Sequence, residues 1–509
     1  GMEAIKNSTQ VFSTAKQGFA IEDLPYFQLG AGTGVASNTG FTTRNQLLSY
    51  FGKANYSFDN RYLASATLRY DGSSRFGENN KFGLFPAISL GWTLSNEAFI
   101  RNSLPFFSTL KLRAGAGTVG NQEIGDYSTF RQFATNYGTT DPLAATRATG
   151  SAYDIAGANT GSLPSGYVAT RTANPDLRWE TTREVNIGVD FGFMNQKLTG
   201  AFDYFTRTTK DILVTPPTPG AIGEGAIKTV NGATMANQGF ELSLGFHDTR
   251  GEFSYSIDGN VAQFKDKITF LPSSVVRSFA GNVEKTILGH SRTSYFGYVT
   301  DGLFQSADEV SKSPVQPGKG LGRIRYKDLN GDGTINALDQ DWLGTELPGL
   351  TYGLNVQLNY RAFSLSVFMR GVSKVIVNDA SKVFTDFLGT ATGVNKGTRL
   401  LNAWNPQNTS ATVPAVSLVN ANTETRSSDY LLVNGDYFKV QNIQLSYSLP
   451  SALVTRMHLS SLRFYGIADN ILLIYKKSGA RAFTGPDPET PGSIYPRPVT
   501  LSLGVDLRF

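Results

Sequence analysis

The chain has 509 residues, no cysteine, 12% aromatic and 17% charged residues, and a formal net charge of +5. The missing thiols exclude disulfide scaffolds, thiolate metal sites and cysteine nucleophiles, and the dispersed Lys and Arg form no cluster of the kind that binds nucleic acid. The charged share falls below the roughly 25% of soluble domains, yet no run of about 18 apolar residues could cross a bilayer as a helix. Alternating strands remain, because every second residue of a membrane strand is polar and the mean hydropathy is only slightly negative, −0.19.

Residues 1–44 are rich in Gly, Ser, Thr and Asn and are expected to be an extracellular loop and the incomplete start of a barrel. No signal peptide is visible at Gly1–Gln10, and since a barrel must be secreted, this is not expected to be the natural N-terminus. Leu29-Gly30-Ala31-Gly32-Thr33-Gly34 has the glycines of a nucleotide-binding turn without the strand–helix context, and reads as loop. Alternation then begins. Leu48, Tyr50, Gly52, Ala54, Tyr56 and Phe58 share one face, Asp59-Asn60 makes a tight turn, and Tyr62, Ala64, Ala66, Leu68 and Tyr70 continue that face. Ser49, Lys53, Asn55, Arg61, Ser65, Thr67, Arg69 and Asp71 fall on the other.

The unit recurs along the chain. Leu198 to Tyr204, Phe240 to Phe246, Phe253 to Val261, Leu354 to Tyr360, Phe363 to Met369, Ile443 to Tyr447 and Leu462 to Ala468 each alternate. Aromatic pairs flank the short turns: Phe58 with Tyr62, Phe246 with Phe253, Tyr360 with Phe363. These suit an interfacial girdle. The last residues, Val499 to Phe509, place Val499, Leu501, Leu503, Val505, Leu507 and Phe509 on one face, with the length of about 9–11 residues that a tilted strand needs to cross a bilayer.

Long polar segments, approximately 119–179, 214–235, 267–349, 377–436 and 472–497, separate the hairpins. Short turns inside and long loops outside are the topology of outer-membrane barrels, which puts the long segments outside the cell and the C-terminus in the periplasm. The count is about thirteen strands, and since single-chain bacterial barrels have even numbers, the chain is expected to be the C-terminal part of a larger barrel.

Lys327 to Trp342 contains the most specific short motif. Asp328, Asn330, Asp332, the carbonyl of Thr334 and Asp339 fall at the first, third, fifth, seventh and twelfth positions of a calcium loop, with Gly333 at the sharp sixth. Ile335 is placed to pin the loop to a neighbouring core. A structural Ca²⁺ is therefore expected within residues 328–339. Other constellations are weak: His247, His290 and His458 are too widely spaced to ligate together, Ser291 lacks a nucleophile elbow, and Glu22-Asp23 and Asp308-Glu309 read as solvated loop charge. No enzyme active site is expected, and Trp179, Trp342 and Trp404 read as packing residues.

Ser49-Tyr50-Phe51-Gly52-Lys53-Ala54-Asn55-Tyr56 and Leu68-Arg69-Tyr70-Asp71-Gly72-Ser73-Ser74-Arg75-Phe76 resemble the SusC/RagA family of TonB-dependent outer-membrane transporters. So do Phe85-Pro86-Ala87, Gly91-Trp92, Leu112-Arg113-Ala114-Gly115 and Gly120-Asn121-Gln122-Glu123-Ile124-Gly125-Asp126-Tyr127. Tyr295-Phe296-Gly297-Tyr298, Asp301-Gly302-Leu303-Phe304 and the calcium motif are similar to the family's outer loop region. The matches run in order from roughly residue 45 to the end.

The resemblance implies an all-β, antiparallel transmembrane β-barrel of about 22 strands with long extracellular loops, enclosing an N-terminal plug. Residues 45–509 would be its C-terminal strands and 267–349 an extracellular loop region; the plug, its TonB box and the earlier strands are absent from this sequence. The implied function is uptake of oligosaccharides or peptides across the bacterial outer membrane, with a SusD-like surface lipoprotein as lid and TonB acting through the plug. The alternative is a passive porin or a calcium-stabilised surface adhesin without energised gating; a soluble all-β binding module would require the greasy faces to bury one another.

Overall fold

The structure, a computed structural model, describes residues 1–21, 28–34, 36–134, 168–214, 216, 229–276, 282, 284–390, 393, 395–419, 422–475, 482–492 and 495–509. Fourteen strands form one sheet, each hydrogen-bonded to its neighbours in chain order. They are β1 Met2–Ala15, β2 Ser37–Phe58, β3 Tyr62–Ser73, β4 Phe82–Thr93, β5 Phe107–Asn121, β6 Glu180–Phe193 and β7 Leu198–Val214, followed by β8 Val230–Arg250, β9 Phe253–Phe270, β10 Leu350–Tyr360, β11 Phe363–Ser373, β12 Tyr437–Ser448, β13 Ser461–Tyr475 and β14 Thr500–Arg508. All the pairings are antiparallel, so directly opposed residues share a face.

The register makes the apolar face continuous. Tyr56 opposes Ala64, Ala64 opposes Leu90, Leu90 opposes Ala114, Ala114 opposes Ile187, and Ile187 opposes Tyr204. A second row runs from Phe246 through Ile257, Val356, Val367, Ile443 and Ala468 to Leu501. Among the described residues no other element covers these rows, and Ile187 is 61% exposed and Leu501 75%. Such a face is stable only against hydrocarbon, and a module that buries its greasy faces on each other is not what this chain forms.

Aromatic contacts mark the two borders of the apolar face. At the short-turn end Tyr62 stacks on Phe58 at 6.4 Å and on Trp92 at 6.3 Å, and Phe363 meets Tyr447 at 4.8 Å. At the other end Tyr70 stacks on Phe82 at 4.9 Å. From Tyr62 to Tyr70 the strand covers about 27 Å, close to the apolar band of about 25 Å in outer-membrane barrels. The Asp59-Asn60 turn has φ of 52° and 51°, the left-handed pair that a two-residue hairpin of matching twist requires.

Residues 1–44 depart from the loop reading. Met2–Ala15 pairs with the first part of β2 in an unbroken register, from Met2 opposite Tyr50 to Ala15 opposite Ser37. Lys6, Ser8 and Gln10 occupy what would be the greasy face, because this half of the hairpin runs past Tyr50 and Tyr70 at the long-connection end and so beyond the apolar band. Backbone pairing holds it together with polar contacts such as Asn7 with Asn45 at 3.1 Å and Thr14 with Asn38 at 2.6 Å, and these leave no hydrophobic period to read. The strand count becomes fourteen, so an odd number no longer marks the chain as part of a larger barrel. Two short connections also carry helices, Ala98–Ser103 between β4 and β5 and Ser451–Arg456 between β12 and β13.

Ala66 and Ser65 are adjacent residues on opposite faces of β3. Ala66→Arg should destabilise the folded protein by about 2–4 kcal/mol, whereas Ser65→Arg should change it little. Urea titration of the protein folded into vesicles checks the contrast.

Candidate functional site: the polar wall and the outer loop unit

The face opposite the greasy one carries charge at regular positions. The Arg113 guanidinium of β5 donates to Asp190 of β6 at 2.8 Å and to Asp203 of β7 at 2.9 Å, forking across three strands. Arg69 donates to Asp71 at 2.8 Å and to the Ser49 hydroxyl at 2.9 Å. Arg207 pairs with Glu184 at 2.7 Å, His247 lies 3.2 Å from Asp258, and the Asn442 amide donates to Asp469 at 2.7 Å. Paired charges and amides of this kind cannot face hydrocarbon, so this face is the wet side of the wall.

At the long-connection end, two loops make a folded unit of their own. The β9–β10 connection pairs Ser294–Tyr298 with Gln340–Thr345 and Thr300–Leu303 with Ile324–Tyr326, and the β11–β12 connection pairs Ile376–Asn378 with Leu432–Asn434. Leu303, Ile324, Tyr326 and Ile335 from the first connection share one core with Phe387, Trp404 and Leu431 from the second. Buried polar groups fix the match. Gln316 donates to the Ile324 carbonyl and to Asn422, both at 2.7 Å, and accepts the Tyr326 N–H at 3.0 Å. Glu424 accepts the Ile324 N–H at 3.1 Å and pairs with Arg323 at 2.7 Å. Arg426 lies between the rings of Tyr298 and Tyr326, 4.8 and 4.7 Å from their centres.

The expected cation loop sits on this unit. Asp328 accepts the N–H groups of Gly331 and Gly333 at 2.7 and 2.8 Å, Asn330 accepts that of Asp332 at 3.1 Å, and Asp332 accepts that of Thr334 at 2.8 Å. Gly333 has φ of +79° with open space where a Cβ would be, so its glycine is required by backbone handedness rather than crowding. The Asn330 amide, the Thr334 N–H and the Asn336 amide hold the Asp332 carboxyl below its ordinary range. Ile335 is buried in the shared core, as its place in the motif predicts.

Asp339 stands apart from the other four. It is fully buried, and its carboxylate accepts the Leu329 N–H at 2.8 Å and the Asn336 N–H at 2.7 Å, closing a capping box on the short helix Ala337–Asp339. Asp328, Asn330 and Asp332 thus hold one exposed turn through its own backbone N–H groups, the Thr334 carbonyl accepts the Asn336 amide at 3.1 Å, and Asp339 ties Leu329 to Asn336. Among the described residues no three acidic or histidine side chains converge closely enough to share an ion. The donors on the turn are all oxygens, which is the chemistry a hard cation takes.

The remaining candidates behave as packing residues. Trp179 lies against Phe76 and Phe85 at 4.8 and 5.3 Å, the Trp404 indole N–H donates to Gln305 at 2.7 Å, and Trp342 stacks on His290 at 4.4 Å. His458 lies in the turn after helix Ser451–Arg456 with φ of 57°, and Asp308 pairs with Lys312 on an exposed turn of helix. Glu22-Asp23 lies outside the described residues. Sequence reasoning missed the network in which Gln316 meets Asn422, 106 positions further along the chain, and Ile324 meets Glu424, 100 positions further. No local pattern marks them.

A greasy sheet face, a charged opposite face and a folded unit at one end agree with what known proteins show. The family model described as TonB dependent receptor-like, beta-barrel matches residues 8–372. The chain belongs to this family. Among TonB-dependent receptors it is similar to SusC of Bacteroides thetaiotaomicron, 30% identical across 92% of this chain and 44% of the relative. It is also similar to receptor P3 of Formosa agariphila, 27% identical across 96% of this chain and 48% of that protein. The structure of the RagAB peptide transporter superposes with a TM-score of 0.80 at 24% identity, covering 100% of this chain and 52% of that one, which shows the shared fold. The SusC/RagA resemblance therefore holds. The chain spans about half the length of the TonB-dependent receptors it matches.

Glu424 and Arg323 are both largely buried. Glu424→Ala takes the carboxylate from the Arg323 guanidinium, which keeps only the Ala415 carbonyl at 3.1 Å, and removes the side-chain acceptor of the Ile324 N–H, and should destabilise the loop unit by about 3–5 kcal/mol. Hydrogen exchange should accelerate over Ile324–Tyr326 while the wall strands stay protected.

Proposed function

We propose that this chain supplies barrel wall and outer loops to a TonB-dependent importer of oligosaccharides or peptides in the bacterial outer membrane. The continuous wall, greasy on one side and lined with ion pairs on the other, is the observation that carries the reading. The long connections face outward, the C-terminus lies in the periplasm, and residues 45–509 with the loop region 267–349 belong to the barrel. A SusD-like lipoprotein meets the outer unit, and TonB acts through a plug that the rest of the protein supplies. In this scheme the chain's task is passage rather than catalysis. The ion-paired face, with Arg113, Asp190 and Asp203 at its centre, keeps the interior wet, and the outer unit presents a fixed surface to cargo and lid.

Uptake by cells carrying the full-length protein should stop when TonB is deleted, and the purified protein should conduct ions only weakly in a planar bilayer. Steady conductance with uptake independent of TonB would favour the passive porin instead.

We also propose that the turn of Asp328, Asn330, Asp332 and the Thr334 carbonyl binds Ca²⁺, with Asp339 fixing the turn from behind. Bound calcium would supply a central positive charge for these oxygens and hold the loop in one shape. Asp332→Ala should abolish calcium binding measured by calorimetry. A chelator should raise the protease sensitivity of 267–349 in the native protein and leave that of the variant unchanged.

A further inference from the structure

The connection between β13 and β14 touches both the outer unit and the wall. At its outer end Phe483 fills a small core with Val375, Val377 and Val433. Val375 and Val377 stand where the β11–β12 connection leaves the wall, and Val433 stands where it returns. Beside them Thr484 donates its N–H at 2.8 Å and its hydroxyl at 2.5 Å to Asp379, which is fully buried. Both roots of the loop are therefore held under one segment.

Three residues further on, the same segment meets the wet face of the wall. Lys439 of β12 donates to Asp487 and to Glu489, each at 2.9 Å, and Arg370 of β11 reaches Glu489 at 2.6 Å. Lys439 and Arg370 oppose each other across the two strands. Arg497 adds a contact of 3.2 Å to Glu489, and the Tyr475 hydroxyl of β13 donates to the Gly485 carbonyl at 3.3 Å. Lys439 is only 1% exposed and Asp487 3%, so these charges are withdrawn from water and depend on each other. From Thr484 to Asp487 an extended chain reaches about 10 Å, which leaves little slack between the two attachments.

We infer that residues 482–492 are a strap that makes the outer loop unit and the channel wall move as one body, latched to the wall through Lys439. The two attachments are coupled because the short segment between them transmits displacement. Freeing the latch strands a buried ammonium, and lifting Phe483 opens the roots of the loop. The coupling is a property of the fold and stands whether or not the transport reading does.

Hydrogen exchange on the full-length protein in detergent tests it. Lys439→Met should accelerate exchange by about tenfold or more over the loop-root pair Ile376–Asn378 and Leu432–Asn434 as well as around Asp487. Phe483→Ala, made at the other attachment, should accelerate exchange around Asp487 and Glu489. Glu489→Gln keeps Asp487 beside Lys439 and should give the same pattern more weakly, so it carries the test if the lysine variant fails to assemble. Acceleration confined to the mutated attachment, with the other unchanged, would overturn the proposal.

Discussion

An unpaired peptide group in hydrocarbon has no water to turn to, and this single constraint arranges the rest of the molecule. It requires each strand to be bonded on both sides wherever lipid reaches, which β3 to β13 meet by being laid down in chain order with short returns at one end. It also fixes a period of two, because a sheet between lipid and water must show a different chemistry on each side. The apolar rows from Tyr56 to Tyr204 and from Phe246 to Leu501 follow from the antiparallel register, and so do the ion pairs behind them. A one-residue slip between β5 and β6 would turn Arg113 or Asp190 toward lipid.

Where that constraint acts, the sequence is readable. Strands β2, β3 and β7 to β14 are visible as alternation, and the Asp59-Asn60 turn and the aromatic pairs at the short turns can be placed from the order of residues alone. Where it stops acting, reading fails. The outer half of the β1–β2 hairpin stands clear of lipid, so Lys6, Ser8 and Gln10 are as acceptable there as leucines, and the strand passes for loop. The outer unit is folded by contacts such as Gln316 with Asn422 and Ile324 with Glu424, which carry no period. In the cation loop, spacing locates the glycines, the exposed oxygens and the Ile335 pin, because these are local. It does not say whom Asp339 will touch; that carboxylate turns to the N–H groups of Leu329 and Asn336.

The two halves of the molecule thus obey different rules. The wall is held by backbone pairing and by the preference of its greasy face for lipid, and its polar residues are paired mainly with neighbours on adjacent strands. The outer unit resembles a soluble domain, with Tyr326, Phe387 and Trp404 inside and a buried polar network that matches one loop to another. The strap at Phe483, Asp487 and Glu489 joins these two kinds of order, using an apolar contact on one side and ion pairs on the other.

A core separate from the wall gives the outer unit freedom to diverge. Lipid judges each second residue of a strand one at a time, whereas a core such as that around Tyr326 and Trp404 is judged as a whole and tolerates compensating changes. Sequence can therefore drift in the two long connections, and with it the surface shown to the outside, while the barrel keeps its register. Only their roots, between Val375 and Val433, must stay as they are. A lineage of such chains can present a new loop surface without relearning how to cross the membrane.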